Sequence, residues 1–346
     1  MQASKIYKRG PRLALAGLLL AAGQGFTAPV IPEQGGWSGE VTFGAGAGSA
    51  EINMIDGVGG IQIGDDRVDG LDEDAGSEGF GFPVLSFDVG YTLADTGTQF
   101  YLAYLPGQPA PHIFLDLEAH AGLRQRLPDV GVIDVSLSGS APVTKVWKDP
   151  YLTGANRGDT ERSVTGMTFQ WHNVMETPLS LGVSSRDIDI DDEESGASLA
   201  LSSAERRLLR RTGEVYRYHA RYDWVLGDRH TLTPGISYLD YQLDGDAMAE
   251  DGLDLALQYE YHGVRWQFAA SLYYRDLEAD ANNPIFADYA DREVLGAALS
   301  VQYPEPFGWE KWTASARVGW YDSDSDVDFY DENLSVFMLG ATYRIE

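Results

Sequence analysis

The fold is decided by stretches such as Tyr216-Arg-Tyr-His-Ala-Arg-Tyr-Asp-Trp224 and Trp266-Gln-Phe-Ala-Ala-Ser-Leu-Tyr-Tyr274. In both, every second residue is aromatic or apolar, and most of the residues between them are polar or charged. This period of two is typical of a β-strand with one apolar and one polar face. The same alternation recurs in four other stretches: Leu253 to Tyr261, Leu295 to Tyr303, Trp312 to Trp320 and Phe337 to Ile345.

The length of these runs indicates a membrane-spanning strand. Each run covers about 9–11 residues, as a tilted transmembrane strand needs, whereas strands of soluble sandwiches average ~5–6 residues. Aromatic residues stand at the ends of the apolar faces, where membrane–water interfaces favour amphipathic rings: Trp224, Tyr261, Trp266, Tyr303, Trp312 and Trp320. We predict 14 strands, with 12–16 as the range: 37–48, 83–93, 99–105, 113–125, 132–146, 163–171, 179–187, 214–226, 231–243, 252–262, 265–275, 293–303, 312–321 and 334–345.

The connections between these strands alternate in length. Short turns on one side and long, mostly acidic loops on the other are the layout of an outer-membrane barrel, with the turns in the periplasm. Lipid offers no hydrogen bonds, so a spanning sheet must close on itself. The predicted fold is therefore an all-β, transmembrane, antiparallel up-and-down β-barrel. A soluble periplasmic sandwich or barrel is the alternative.

The first segment predicts export. Residues 1–12 carry four basic side chains and no acid. Leu13 to Ala22 is apolar but shorter than the about 20 residues that a membrane-spanning helix needs. This pattern is typical of a signal peptide over residues 1–28, cleaved between 23 and 28, with the barrel over 29–346. A retained N-terminal anchor is the alternative.

Composition removes several classes of function. The 53 acidic residues outnumber the 25 basic ones, giving a formal charge of −28, which argues against a nucleic-acid partner. The chain has no cysteine, so disulfide scaffolds, thiolate metal sites and cysteine nucleophiles are excluded.

Four segments carry a resemblance to a known family: 31–39 (IPEQGGWSG), 146–154 (VWKDPYLTG), 186–194 (RDIDIDDEE) and 307–312 (FGWEKW). They resemble an uncharacterised family of Gram-negative outer-membrane β-barrel proteins known as a domain of unknown function. The resemblance extends over nearly the whole mature chain. It implies an outer-membrane location and no established activity.

Fourteen strands enclose a wider bore than eight, whose inward side chains fill the interior. Small inward residues such as Gly296 and Gly340 leave room, and mixed inward charges set solute preference in a pore. The lumen-lining candidates are Asp116, Glu118, His120, Arg217, His219, Arg221, Asp223, Asp254, Glu260, Arg265, Arg275, Arg317 and Arg344. We therefore predict a passive, porin-like channel for small hydrophilic solutes. Pairing of these charges purely to stabilise the wall is an equal alternative.

One outer loop contains a predicted helix. Ser202 and Glu205 form a capping-box pattern. Basic residues lie in the C-terminal half of the predicted helix, and Gly213 is a residue type that commonly follows a helix end. Arg206 and Arg210, one turn apart, are candidates to fold inward as a plug. Contact with lipopolysaccharide phosphates and a plain solvated loop are the alternatives.

Two stretches carry an aspartate at every second position. If the strand alternation continues into them, these aspartates point outward, just above the apolar band. Hard cations take oxygen ligands, so these runs predict loop-bound Ca²⁺ or Mg²⁺ bridging to lipopolysaccharide. A solvated acidic rim is the alternative interpretation. Neither run matches an EF-hand loop. The candidate ligands are Asp187, Asp189, Asp191, Asp322, Asp324 and Asp326.

Other functions have less support. The six histidines lie in none of the usual hydrolase motifs, so an outer-membrane hydrolase is a minor alternative and no catalytic residue is assigned. A structural, surface-binding barrel that stabilises the envelope through acidic loops and divalent cations is the main alternative to a channel. Loop 49–82 is Gly-rich and acidic, which favours mobility. The expected partners are the lipid bilayer, lipopolysaccharide, small polar solutes and, during biogenesis, the barrel-assembly machinery.

Overall fold

The computed structural model describes residues 30–72, 75–106, 117–141 and 143–346; the predicted signal peptide and Asp116 lie outside these ranges. The strands in chain order are β1 Gly36–Glu51, β2 Ile55–Val58, β3 Ile61–Gln62, β4 Ser77–Leu93, β5 Thr98–Pro106, β6 Leu117–Leu127, β7 Gly131–Ser140, β8 Thr144–Trp147, β9 Asp159–His172, β10 Leu179–Ile190, β11 Gly213–Tyr222, β12 Trp224–Leu226, β13 His230–Leu243, β14 Glu250–His262, β15 Gln267–Ala279, β16 Arg292–Pro304, β17 Trp312–Ser325 and β18 Glu332–Ile345. One α-helix, α1, covers Ser203–Arg207, and 3-10 turns lie at Val174–Glu176, Pro306–Gly308 and Asp328–Tyr330.

The wall is a closed antiparallel barrel of 14 strands, as predicted. Each wall strand pairs with the next one along the chain, and β1 pairs with β18 from Gly39↔Ile345 to Glu51↔Asn333, which closes the circuit. β11 and β12 are one wall strand. Their register against β13 continues unchanged, and the interruption faces Pro234, which has no N–H for the ladder.

The three short strands β2, β3 and β8 do not belong to the wall. β2 pairs with β3 as a hairpin and with β8, and β8 pairs with the outer end of β9. The predicted strand 132–146 is therefore two strands, β7 and β8. The loop expected to be mobile contains this ordered hairpin.

The alternation of side chains follows the predicted register. On β18 the exposed Phe337 and Leu339 face outward, while Val336, Met338 and Gly340 face the interior. Outward aromatics pair near the periplasmic edge, with ring centroids 4.7 Å apart for Trp266 and Tyr303 and 5.2 Å for Trp312 and Tyr343. Trp320, Tyr238 and Tyr274 lie on the same face toward the outer edge.

An apolar belt between two aromatic girdles on a closed barrel is the arrangement of a Gram-negative outer-membrane protein. The chain is therefore an outer-membrane β-barrel. The start of β1 and the end of β18 lie on the side of the short turns.

Candidate functional site

Polar side chains line the periplasmic half of the interior. Most of the predicted lumen residues lie on the inward face: Glu118 and His120 of β6, Arg217, His219 and Arg221 of β11, Asp223 between β11 and β12, Asp254 and Glu260 of β14, Arg275 of β15, Arg317 of β17 and Arg344 of β18. Arg265 is placed differently. It lies in the exposed turn before β15, and its guanidinium carbon is 5.9 Å from the ring of the outward Tyr303, so it does not belong to the inward set.

An arginine that the sequence analysis did not select organises one side of this polar region. Arg124 of β6 contacts Asp88 at 2.6 Å and Asp134 at 3.3 Å, and lies 3.7 Å above the ring of Tyr101. Tyr101 donates to Asp134 at 2.8 Å. The alternation that places Glu118 inward also places Arg124 inward, so the signal was present in the sequence.

Other inward charges pair across neighbouring or nearby strands. Arg275 contacts Asp254 at 2.8 Å, with both side chains almost fully buried. Arg186 of β10 contacts Glu118 at 2.8 Å, and His120 lies 3.7 Å from the same carboxylate. These pairs brace the wall and compensate the cost of burying charge.

Several inward rings lie flat against the wall because a glycine faces them on the next strand. Gly296 is the register partner of Tyr273, and a Cβ added there would be 2.1 Å from the Tyr273 ring. Gly182 accommodates His219 in the same way, with a Cβ-to-ring distance of 2.2 Å, and Gly122 accommodates Tyr101 at 2.6 Å. The missing side chains allow large groups to fold back along the wall instead of extending across the lumen.

The outer half of the interior contains a large apolar cluster, which the sequence analysis did not predict. Inward Leu334, Val336 and Met338 of β18 pack with Phe80 and Phe82 of β4. Against them lie Ile52, Ile55, Val58 and Ile63 from the β2–β3 hairpin, each 1% exposed or less. We call residues 52–63 the plug hairpin. It fills the bore beneath the outer loops.

The outer loops pack over the plug hairpin as a cap. We use this word for residues 64–72, 148–158, 191–212, 244–249, 280–291 and 326–331. At its centre, the hydroxyls of Tyr151 and Tyr330 are 2.6 Å apart, Asn283 donates to Tyr330 at 2.7 Å, and Phe286 and Phe329 stack on the same cluster. The Tyr151 side chain is fully buried, which raises its pKa to about 12 and keeps the hydroxyl protonated.

Arg157 ties the cap to the plug hairpin. Its guanidinium donates to the carbonyl oxygens of Asn53 at 2.8 Å and Pro150 at 3.1 Å, and to that of Asp65. It also lies 4.5 Å above the Trp147 ring. Asn53 in turn donates to the Phe329 carbonyl at 3.1 Å. The cap and the plug hairpin therefore form one packed unit.

The loop at 202–213 joins this unit through residues other than those predicted. Ser202 and Glu205 form the expected capping box of α1. Arg206 and Arg210 are exposed, so the interpretation of these two as an inward plug is wrong in this structure. Leu209 is buried instead, in the cluster that contains Tyr151 and Tyr330. Arg211 contacts Glu193 at 3.0 Å and donates to the Trp147 carbonyl at 2.7 Å. Sequence alternation does not extend into a loop, so it gave no signal for this choice.

The acidic runs lie at the outer rim. Asp187, Asp189 and Asp191 are exposed, as are Asp324 and Asp326, while Asp322 accepts a hydrogen bond from Asn333 at 3.0 Å. Over the part of the chain that the structure describes, no three acidic or histidine side chains converge as a metal site would require. Loop-bound Ca²⁺ or Mg²⁺ therefore stays a prediction.

No helix in the described ranges is long and apolar enough to cross a membrane. The model of a protein family described as "Protein of unknown function (DUF2860)" matches residues 36–344. No curated protein matches the chain.

Several solved structures resemble the chain at low identity. A FadL homologue of Pseudomonas aeruginosa is 11% identical, with 89% of this chain and 90% of that chain covered and a TM-score of 0.45. The outer-membrane channel DcaP of Acinetobacter baumannii is 11% identical, with coverages of 96% and 100% and a TM-score of 0.42. OprD of Pseudomonas aeruginosa is 10% identical, with coverages of 92% and 97% and a TM-score of 0.36.

Proposed function

The chain belongs to the DUF2860 family of proteins of unknown function, and from its own architecture we propose that it is a gated outer-membrane channel for small hydrophilic solutes. The observation that carries the proposal is the contrast between a bore lined with polar and charged side chains on the periplasmic side and an apolar plug packed against β4 and β18 on the outer side. A barrel that only needed stability would gain little from burying many charges, because burial of ion pairs rarely adds net stability.

The glycine–ring pairs support a passage through the bore. Tyr101, His219 and Tyr273 are large enough to reach into the bore, and each lies over a glycine of the next strand. A side chain at any of these glycines would overlap the ring that faces it. Their presence keeps the rings along the wall and the centre of the lumen free.

The plug hairpin supports gating. It follows β1 along the chain and packs against the wall through side chains. Within the described residues, its ladder to another strand is with β8, and none is with a wall strand. Its displacement therefore leaves every ladder of the 14-strand wall intact. We assign the closed state to the hairpin as it stands and the conducting state to its movement toward the outer side.

The test is conductance of the refolded full-length chain in a planar bilayer. We expect discrete openings separated by long closures, since the plug hairpin occupies the bore for most of the time. A bilayer that stays silent with the wild type, and also with a variant lacking the plug hairpin, would overturn the proposal in favour of a structural barrel.

Gly296→Ala tests the free lumen directly. The added Cβ would overlap the Tyr273 ring, so the ring must swing away from the wall into the bore. We expect a reduced open-channel conductance and a stability loss of about 1–3 kcal/mol from the forced rearrangement. Single-channel recording provides the first measurement and urea unfolding in micelles the second.

The matched control places Gly296→Ala in a Tyr273→Ala background, where the methyl group meets no ring. There we expect the conductance to be at least that of the wild type. Equal conductance of Gly296→Ala and wild type would show that Tyr273 does not border the path.

A further inference from the structure

The inward charges of the polar half are not evenly distributed. Arg217, His219 and Arg221 follow one another on the inward face of β11, and His172 of β9 lies beside them. Alternate residues of a strand are about 7 Å apart, so the three side chains form a basic stripe ~14 Å long. We call these four residues the basic stripe.

The surroundings of the basic stripe contain few acids. The inward side chains of the adjoining β13 are the neutral Thr231, Thr233 and Ser237. On the other side, β10 presents Ser180, Gly182 and Ser184 opposite Arg221, His219 and Arg217. Two acids lie nearby. Asp223, at the periplasmic end, accepts a hydrogen bond from Thr233 at 3.0 Å, and Asp254, the register partner of Ser237, is paired with Arg275 at 2.8 Å.

Arg217 is the most unusual member. Its Nε and one terminal nitrogen donate to the Ser237 hydroxyl, at 3.0 and 2.8 Å, and within the described residues it forms no ion pair. A guanidinium has five N–H donors, so the Ser237 contacts leave three of them to the lumen. Other arginines deep in the interior, such as Arg124, Arg275 and Arg292, each contact a carboxylate.

Arg221 and His172 are in contact, with a guanidinium nitrogen 3.2 Å from Nδ1 of the imidazole. Nδ1 of His219 and the hydroxyl of Ser180 are buried without a hydrogen-bond partner in the described part of the chain. Buried polar groups normally find partners, so these open groups beside Arg217 are available to a ligand.

Resting on the proposed channel function, we infer that the basic stripe is a binding site for small oxyanions, carboxylate or phosphate groups, with Arg217 as its main ligand. A guanidinium matches the two oxygens of such a group, and a charge-assisted bond in a partly desolvated lumen is stronger than one at the surface. The protein's solutes are therefore small organic or inorganic anions. The stripe attracts them locally in spite of the strongly acidic composition of the whole chain.

The primary experiment measures binding and does not require conduction. Inorganic phosphate and acetate are titrated separately into the refolded protein in detergent by isothermal titration calorimetry. We expect saturable binding of at least one of them, and binding on the order of tenfold weaker in Arg217→Gln, as for loss of one charged hydrogen bond. Arg229→Gln, which removes the same charge from an exposed periplasmic turn, should bind like the wild type.

The two arms distinguish the sources of the oxyanion: phosphate alone indicates a phosphate solute, and acetate alone indicates a carboxylate. Absence of saturable binding by either, or equal binding by wild type and Arg217→Gln, overturns the inference. If the Arg217→Gln barrel fails to refold, Arg217→Lys replaces it, because lysine keeps the charge and loses the fork; there we expect weaker binding as well.

The failures of the two proposals are distinguishable. If the barrel conducts but binds no anion at Arg217, the anion site is contradicted and the channel function is retained. A barrel that binds phosphate or acetate through Arg217, but stays silent in bilayers even without the plug hairpin, keeps the site and contradicts the channel.

Discussion

Replacing residues 53–63 with a short Gly-Ser linker is expected to convert the protein into a channel that is open most of the time. The change removes Ile55, Val58 and Ile63 from the apolar cluster, together with both strands of the plug hairpin. The wall loses no ladder, and shortening the loop changes its closure entropy little. Bilayer recording should show a several-fold higher mean conductance than the wild type.

The matched control replaces Ser203–Arg207 with a Gly-Ser segment of equal length. This helix is exposed and lies outside the bore, so we expect wild-type conductance and gating. If the plug-hairpin variant conducts no more than the wild type, the hairpin does not close the channel.

A reversible version of the same test uses a disulfide. The natural chain has no cysteine, and Val58 of β2 is the register partner of Thr144 of β8. Antiparallel partners have Cα atoms about 4.5–5.5 Å apart, within the range that a disulfide spans. In Val58→Cys/Thr144→Cys we expect openings to disappear on oxidation and to return with a reductant. The single variants should not respond, and openings that persist in the oxidised double variant would contradict movement of the hairpin.

Arg292→Met is expected to be the most destabilising single change at the outer end of the barrel. Nε of Arg292 donates to Glu250 at 2.9 Å, a terminal nitrogen contacts the other carboxylate oxygen, and the two side chains are 0% and 3% exposed. Removing one partner leaves an uncompensated buried charge, which costs about 3–5 kcal/mol. Urea unfolding in detergent micelles, followed by tryptophan fluorescence, measures the loss.

Two further variants separate the pair from its packing. Arg292→Met/Glu250→Met leaves no unpaired charge, so it should recover most of the stability that the single variant loses. Asp69→Asn, in the exposed pair with Arg67, should change the free energy of unfolding by no more than ~1 kcal/mol. Equal losses in the single and the double variant would show that shape, and not charge, dominates at this position.

Much of the wall was predictable from the sequence because strand alternation is a local property. The two faces of β11 and β18, the strand count and the aromatic edges follow from residues two apart, and the structure confirms them. The same rule placed most candidate lumen residues on the inward face. It misplaced Arg265, because that residue lies in a turn where alternation has ended.

The contacts inside the barrel were not predictable in this way. Tyr151 and Tyr330 meet across 179 positions of the chain, and Arg186 finds Glu118 on a strand that is not its neighbour. The choice of Leu209 and Arg211 over Arg206 and Arg210 depends on how several loops pack together.

By itself, then, the sequence determined a closed barrel with an apolar outside, since lipid requires both closure and alternation. Only the tertiary structure decided what fills the bore. A loop that is rich in glycine and acid also carries Ile52, Ile55, Val58 and Ile63, and these become a plug only where the inward faces of β4 and β18 offer apolar surface to cover them. The pattern of the wall depends on residues two positions apart. The plug depends on packing between apolar surfaces that are distant along the chain.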